Sequence, residues 1–467
     1  MSTASKLIFW LGWLLCLDGL WFPILPQSAT TAKYVIICHG DGMGPEQVKA
    51  GGMFVNGAAG TLFFETFPRQ ALMTHNNASG NTTDSAASAT AMATGTKVSN
   101  GVISVRLPGD GSELATLLEL HQAAGKHAGL VTTSYMTDAS PAAYGAHTAG
   151  RNNYADIARG YLTQTQPQIL FGGGGYGFDT TVAAAQGYQV VTHRSSLLGL
   201  NPPLPTRVVG NFGTGLIPAE NSPGRDADLP TLPEMTQAAL ANLDKNSGGF
   251  FVLIEDENID EHSHANDAAG LVLAMAEFNR TVQTAVSWVD STATAADWTN
   301  TLLVVLADHE TGGLTVTEAN PQSGLTPAVT WNTTGHTQTP VRIYARGTDA
   351  GQVSGASLDN TDIFSLLRPA NAGTPTATPT SGKVKITAYP NPAQDHMKFA
   401  FFLRAGQMIT LTVYNFAGER VSAVQKNLPA GSQELLWDCR ALAPGCYMAK
   451  LSDPDEEIGR LKLTVLR

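Results

Sequence analysis

The chain has 467 residues, enough for more than one domain and for a large buried core. Apolar residues make up 43% and charged residues only 14%, low for a soluble protein, and the formal net charge is −11. Without a run of Lys or Arg, that balance excludes broad nucleic-acid binding, and an anionic substrate has to be drawn in by a local positive site.

Residues 1–32 read as an export signal. Lys6 precedes the apolar run of residues 7–17, and the small residues Ser28, Ala29 and Ala32 follow. The run is too short for a stable membrane span, Asp18 closes it, and no other stretch is apolar enough to cross a bilayer. The protein is therefore expected outside the cytoplasm: periplasmic, extracellular or at the cell surface.

Residues 33–368 alternate short apolar strands with helical stretches. This is the pattern of an α/β domain, here a three-layer α/β/α sandwich around a central, mostly parallel sheet. Strands are expected at 34–38, 129–132, 250–254 and 302–306, all apolar on both faces as buried central strands are. Helices are expected at 85–94, 112–125, 232–243 and 266–289. Residues 369–382, with three prolines and no large apolar side chain, read as a linker. Residues 383–467 show period-two alternation and recurrent turn signals, which predicts a small C-terminal β-sandwich. Of the four cysteines, Cys38 falls in an apolar strand as a buried thiol, and Cys439 and Cys446 are close enough to pair in an oxidising compartment. No Cys-x-x-Cys pair is present, so a thiolate zinc site is not expected.

Chemistry-bearing residues collect where strands end and helices begin. Asp84 is a good N-cap, Ser85 opens the first turn and Gly95 offers a left-handed stop, so free helix amides face the Ser85 hydroxyl. A serine there is ordinarily only part of a cap. The strand at 34–38 runs into His39-Gly40-Asp41-Gly42-Met43-Gly44, that at 250–254 ends at Glu255, and that at 302–306 leads to Asp308-His309. Ligands of open α/β sheets gather beyond such strand ends. The glycines around Asp41 alternate strictly and lack the G-x-G-x-x-G spacing of a dinucleotide loop. Asp260 and His264 lie four apart at an expected helix start and share a face that can grip one ion; the plain alternative is a solvated acidic loop. His336 adds an imidazole on a loop. Carboxylates and imidazoles without thiolates suit zinc, with manganese or cobalt as tolerable substitutes. Arg151, closing the segment 137–151, can fork onto a phosphate or serve as a surface ion-pair residue.

Together these blocks resemble the alkaline phosphatase family. Gly40-Asp41-Gly42-Met43-Gly44, Thr83-Asp84-Ser85-Ala86-Ala87, Asp138-Ala139-Ser140-Pro141, Arg151, Glu255 with Asp260 and His264, Ala307-Asp308-His309 and His336-Thr337 occur in the family's order. The resemblance implies that Ser85 is a nucleophile that becomes phosphorylated. It implies a first zinc held by Asp260, His264 and His336, and a second held by Asp41, Asp308, His309 and Ser85. It also implies a third ion, usually magnesium, held by Asp41, Ser140 and Glu255, an all-oxygen set suited to a hard cation. Arg151 resembles the phosphate clamp, with Asp138 behind it. The implied reaction is hydrolysis of small phosphate monoesters to alcohol and inorganic phosphate, and a homodimer is the implied assembly.

The rival readings are a phosphodiesterase or sulfatase of the same superfamily, and a catalytically inactive exported binding protein. Ser85 lies in no C-x-P-x-R sulfatase motif, and every matched metal position is filled. Two departures stand out. Glu261 sits where the family commonly carries Lys, His or Trp, an acid that would repel phosphate. The stretch between His309 and His336 is short, which predicts a missing crown and an open site. The C-terminal region, through Tyr389-Pro390-Asn391-Pro392, Trp437-Asp438 and Gly445-Cys446-Tyr447, resembles bacterial secretion and sorting β-domains. That implies secretion machinery as a partner; the plain alternative is an immunoglobulin-like spacer.

Overall fold

The computed structural model describes residues 29–200, 206–353, 357–370, 387–389, 391–403, 407–415, 418–428, 431–453 and 457–466. The apolar run expected as a signal and residues 371–382 of the expected linker lie outside the described residues. Among those described, no helix is long and apolar enough to cross a membrane.

The expected central strands form and run slightly longer than their apolar stretches. The first eight are β1 (Tyr34–Gly40), β2 (Arg69–Thr74), β3 (His127–Tyr135), β4 (Ile169–Gly174), β5 (Gln189–Val191), β6 (Val208–Thr214), β7 (Phe250–Asp256) and β8 (Thr301–Leu306). Four two-residue strands follow: β9 (Glu310–Thr311), β10 (Thr315–Val316), β11 (Val329–Thr330) and β12 (His336–Thr337). They form two small ribbons, β9 with β12 and β10 with β11, so the His309–His336 stretch carries no larger inserted domain. Strands β13 (Val341–Gly347) and β14 (Ser357–Asp359) then rejoin the main sheet, whose order is β14-β2-β13-β8-β1-β7-β3-β4-β6-β5.

From β8 to β5 all neighbours are parallel; β13 runs antiparallel to both β8 and β2, which makes that edge mixed. Strands β1, β7 and β8 are buried along their full length, as expected for parallel strands covered on both faces. Each Val, Leu or Ile there contributes about 1.5–3 kcal/mol by leaving water, so this core can offset unfavourable polar burial at the strand ends.

Among the described residues eleven helices flank the sheet: α1 (Pro45–Asn56), α2 (Ser85–Thr94), α3 (Leu117–Ala123), α4 (Ala139–Gly145), α5 (Tyr154–Gly160), α6 (Thr180–Ala185), α7 (Arg194–Leu198), α8 (Leu232–Leu243), α9 (Asn258–His264), α10 (Ala268–Val289) and α11 (Asp362–Leu367). Helix α10 touches α1, α8 and α9, while α2 touches α4 and α11; β3 is covered by α8 from the first group and by α3 and α4 from the second. This gives the expected α/β/α layering.

Two helix boundaries differ from expectation for local reasons. Helix α3 starts only at Leu117, because Thr116 and Glu119 close a capping box and Gly111 just upstream holds a left-handed φ of 73°. Helix α10 starts at Ala268, because Asn266 is left-handed and the Asp267 carboxylate accepts from the amides of Ala269 and Gly270.

The C-terminal region forms two antiparallel sheets. One joins β15 (Thr387–Tyr389), β16 (His396–Leu403) and β19 (Gly431–Asp438); the other joins β17 (Gln407–Tyr414), β18 (Arg420–Leu428), β20 (Gly445–Ser452) and β21 (Glu457–Val465). Met397, Phe399, Leu411, Val413, Trp437 and Leu451 fill a core of their own, as a small sandwich requires. The pairing open to Cys439 and Cys446 is not formed. Cys439 is a buried free thiol just beyond β19, whereas Cys446 is exposed on β20 of the other sheet. Cys38 is buried and free as expected, and burial pushes its thiol up to about 12.

One half-buried ion pair in the first domain sets a pH dependence. His147 donates through one ring nitrogen to the Ser104 carbonyl (2.9 Å) and approaches Glu119 at 3.2 Å through the other. Burial pulls the His147 pKa down, but the Glu119 hydrogen bond and charge outweigh it and leave it above 6.5. A raised histidine pKa contributes stability that is complete below the unfolded value and fades as pH rises through the folded one. The thermal midpoint of His147→Phe is therefore expected to approach that of the wild type as pH rises from about 6 through the folded pKa. A wild-type minus variant difference that stays flat over that range would contradict the pairing.

Candidate active site

Asp84 and Gly95 fix helix α2 at its two ends. One Asp84 carboxylate oxygen accepts from the Ala87 amide at 2.9 Å and the other from the Gly101 amide at 2.8 Å, so the helix start is anchored to a neighbouring loop. Gly95 ends the helix at φ 70°, and a Cβ there would meet Phe364 of α11 at 2.9 Å. The run Ala86-Ala87-Ser88-Ala89 is buried throughout, small enough for α2 to lie close under α4. Ser88 donates to the Asp308 carbonyl at 2.8 Å, which ties the helix to the end of β8. Ser85 is thereby held at the first helical position, buried, with its Oγ 3.3 Å from Nε2 of His309.

Around that hydroxyl the structure brings together the residues expected as ligands. His309 Nε2 lies 3.1 Å from Asp308 Oδ2 and 3.4 Å from Asp41 Oδ1. Asp260, His264 and His336 form a second group: His264 Nε2 is 3.0 Å from Asp260 Oδ2 and 3.0 Å from His336 Nε2. Asp41 Oδ2 accepts from the Ser140 hydroxyl at 3.2 Å, and Glu255 accepts from Thr132 at 2.6 Å. Three sets of donor atoms each lie within 4.8 Å of one another: Asp260 with His264 and His336, Asp41 with Asp260 and His309, and His39 with Asp41 and Glu255. Gly42 makes the first turn of this loop possible. Its φ is +66°, and a Cβ would stand 2.3 Å from Asp260 Oδ1.

The chemistry of these donors fits divalent cations. His264 and His336 each turn Nδ1 to a backbone carbonyl, Thr334 and Thr83 respectively, which fixes the proton there and leaves both Nε2 lone pairs facing each other. His309 turns Nδ1 to the Thr311 hydroxyl at 3.2 Å, and Thr311 in turn donates to Asp260. Its bare Nε2 therefore also faces only carboxylates and Ser85. Oxygens Asp41 Oδ1, Asp308 Oδ2 and Glu255 Oε1 are buried with no hydrogen-bond partner. Lone pairs converging on lone pairs in a dry cluster are unfavourable unless a cation sits among them.

The ionisation pattern agrees. Burial, then the charges of Asp308, Asp260 and Glu255, holds Asp41 far above the usual carboxylate range. Burial lifts Glu255 to about 7 and pushes His309 down to about 3, so that imidazole is neutral, as a metal ligand must be. The neighbouring imidazoles hold Asp260 and Asp308 below the usual carboxylate range and Asp260 lifts His264 to about 9, whereas Asp41 and Glu255 are left uncompensated, at a cost of several kcal/mol for each buried charge.

Arg151 lies at the entrance to this cluster. It donates to Asp138 at 3.0 Å and approaches Asp84 at 3.5 Å, with 28% of its side chain exposed. Asp138 also accepts from Ser134 at 2.6 Å and from the Ala139 amide at 2.7 Å. It thus holds Arg151 from behind. Glu261 is exposed, and burial of its inner part and the Asp260 charge raise its carboxyl pKa. His262 pairs with Asp267 at 3.0 Å.

Sequence reasoning missed three contributors. Thr311 links His309 to Asp260, Thr132 orients Glu255, and His39 places an imidazole in the Asp41–Glu255 set that was expected to contain oxygen alone. The signal for His39 was present in the chain: residues two apart on a strand share a face, and Asp41 follows His39 by two.

Residues 32–328 match the family described as alkaline phosphatase, and residues 387–463 match the secretion system C-terminal sorting domain. The chain is 33% identical over 300 residues to alkaline phosphatase 3 of Bacillus subtilis, covering 61% of this chain and 62% of that protein. It thus spans less than two thirds of that relative's length. It is 30% identical over 417 residues to alkaline phosphatase H of Pseudomonas aeruginosa, covering 73% of this chain and 86% of that one. Among solved structures, a cold-active alkaline phosphatase from a psychrophilic Shewanella superposes with a TM-score of 0.63 at 27% identity, covering 71% of this chain and 98% of that one.

Proposed function

The chain belongs to the alkaline phosphatase family, and from that premise we propose that it hydrolyses phosphate monoesters through a phosphoserine on Ser85. The observation that carries this reading is the Ser85 hydroxyl at a helix start, 3.3 Å from the bare nitrogen of His309. Asp260, His264 and His336 would hold one zinc ion, Asp41, Asp308, His309 and Ser85 a second, and Asp41, Ser140 and Glu255 a third ion. When bound, these ions supply Lewis acidity at the phosphate oxygens and lower the pKa of hydroxyl groups.

The residues themselves bind and orient. The Arg151 guanidinium, held by Asp138 and Asp84, presents its remaining N–H groups to two non-bridging oxygens of the ester. Free amides at the start of α2 face the same group, so the transferring phosphoryl is gripped by fixed positive dipoles. Ser85 Oγ attacks phosphorus in line as the P–O bond to the alcohol breaks, and the proton lost by Ser85 balances the one gained by the leaving oxygen. Water then attacks the phosphoserine from the vacated side, the Ser85 Oγ–P bond breaks, and inorganic phosphate leaves.

Comparing turnover of p-nitrophenyl phosphate, its bis-ester and p-nitrophenyl sulfate tests the reaction class. The monoester is expected to be fastest; faster turnover of either rival would transfer the protein to the diesterases or sulfatases. Arg151→Ala is expected to raise the inhibition constant for inorganic phosphate about 10–100-fold, the worth of a bidentate charged contact. An unchanged constant would remove Arg151 from the phosphate site. The C-terminal domain is a secretion-system sorting domain, which supports an exported or surface-held enzyme delivered by that machinery.

A further inference from the structure

We propose that His39 is a ligand of the third metal centre and turns it from an all-oxygen magnesium site into a mixed oxygen and nitrogen site for a transition-metal dication of the zinc, cobalt or manganese class. The inference rests on the phosphatase reading for the existence of a third centre, and goes beyond it in ligand and metal.

The sheet register places the imidazole. His39 pairs with Glu255 of β7, and Glu255 pairs with Thr132 of β3, so the three residues stand in one row across neighbouring strands. Asp41 follows two residues later, just beyond the strand end. A ligand atom of His39 lies within 4.8 Å of ligand atoms of both Asp41 and Glu255, close to the roughly 4 Å that separates donors around one ion with bonds of about 2.1 Å. The side chain is fully buried, and neither ring nitrogen makes a hydrogen bond.

Asp308 Oδ1, 3.3 Å from Nε2 of the ring, already accepts from the amides of Gly42 and His309. The ring can put one nitrogen lone pair on the ion that Asp41 and Glu255 face. Glu255 Oε1 is likewise without a partner, and a carboxylate oxygen of Asp41 completes the group, so one nitrogen and two oxygens converge there. Magnesium prefers oxygen donors and retains its waters; imidazole shifts the preference toward borderline ions along the Irving–Williams order.

The test uses the full-length protein purified without chelator and dialysed against zinc with magnesium in large excess, with metal content read by elemental mass spectrometry. The wild type is expected to hold three zinc ions and no magnesium per chain. His39→Leu and the milder His39→Asn are expected to hold two zinc ions and one magnesium, with the third-site preference for zinc falling at least about tenfold. Two zinc ions and one magnesium in the wild type would overturn the proposal, and so would variants with unchanged metal content. If both variants fail to fold, the wild-type composition decides alone. Failure of the underlying reading looks different: fewer than two zinc ions, or no monoester turnover with the metals bound.

Discussion

Ser85→Ala is expected to reduce phosphomonoester turnover by about 10⁴-fold or more, leaving only what the remaining charges achieve with water as direct attacker. No neighbouring hydroxyl can take over. Ser88 is committed to the Asp308 carbonyl, Thr83 to the Asp84 carbonyl and Ser140 to Asp41. Stability is expected to stay almost constant. Ser85 is the first helical residue and not the cap, the capping bonds belong to Asp84, and alanine is the better helix former by less than about 1 kcal/mol. Steady-state kinetics with a thermal melt on the same preparation checks both halves. Loss of activity accompanied by collapse of the melt would leave the nucleophile unassigned, and retained turnover would refute it.

Removing the metals is expected to have the second largest effect, this time on stability as well as activity. Asp41, Glu255 and Asp308 are wholly buried beside one another, with partnerless oxygens facing inward. Cations bound by the folded state alone add about 2.7 kcal/mol per site at a hundredfold excess over Kd, and two or three sites act together. Exhaustive dialysis against a chelator is therefore expected to abolish turnover and lower the thermal midpoint by about 10 °C or more, with recovery on adding zinc and magnesium. A chelated protein that melts at the same temperature would show that the acid cluster is stabilised by protons and imidazoles alone.

Part of the candidate site was legible because parallel strands announce themselves as short apolar runs and functional groups follow at their carboxyl ends; the division of the residues into ion sites came from the family resemblance. Asp41, Glu255 and Asp308-His309 were found in that way, and Asp260 with His264 through helical spacing. The Ser85 helix was legible from Asp84 and Gly95, whose cap and left-handed stop match in residue and position.

What stayed hidden depends on register and tautomer. That His39, Glu255 and Thr132 form one row follows from which strand lies beside which, and β1, β7 and β3 are far apart in the chain. The converging Nε2 lone pairs of His264 and His336 follow from the Thr334 and Thr83 carbonyls, which no motif records. Asp138 was expected behind Arg151, and the structure adds the contact itself, a 3.0 Å hydrogen bond from the guanidinium. The free thiols of Cys439 and Cys446 also escaped spacing arguments, since seven residues of separation placed them on different sheets.

Trapping the covalent intermediate tests the central claim most directly. The enzyme, incubated with a phosphate monoester and quenched in acid, is digested and its peptides are mapped by mass spectrometry. A single phosphoryl group on the peptide carrying Ser85, absent without substrate, is the predicted result. A phosphoryl group on any other residue, or none while turnover proceeds, would contradict the account.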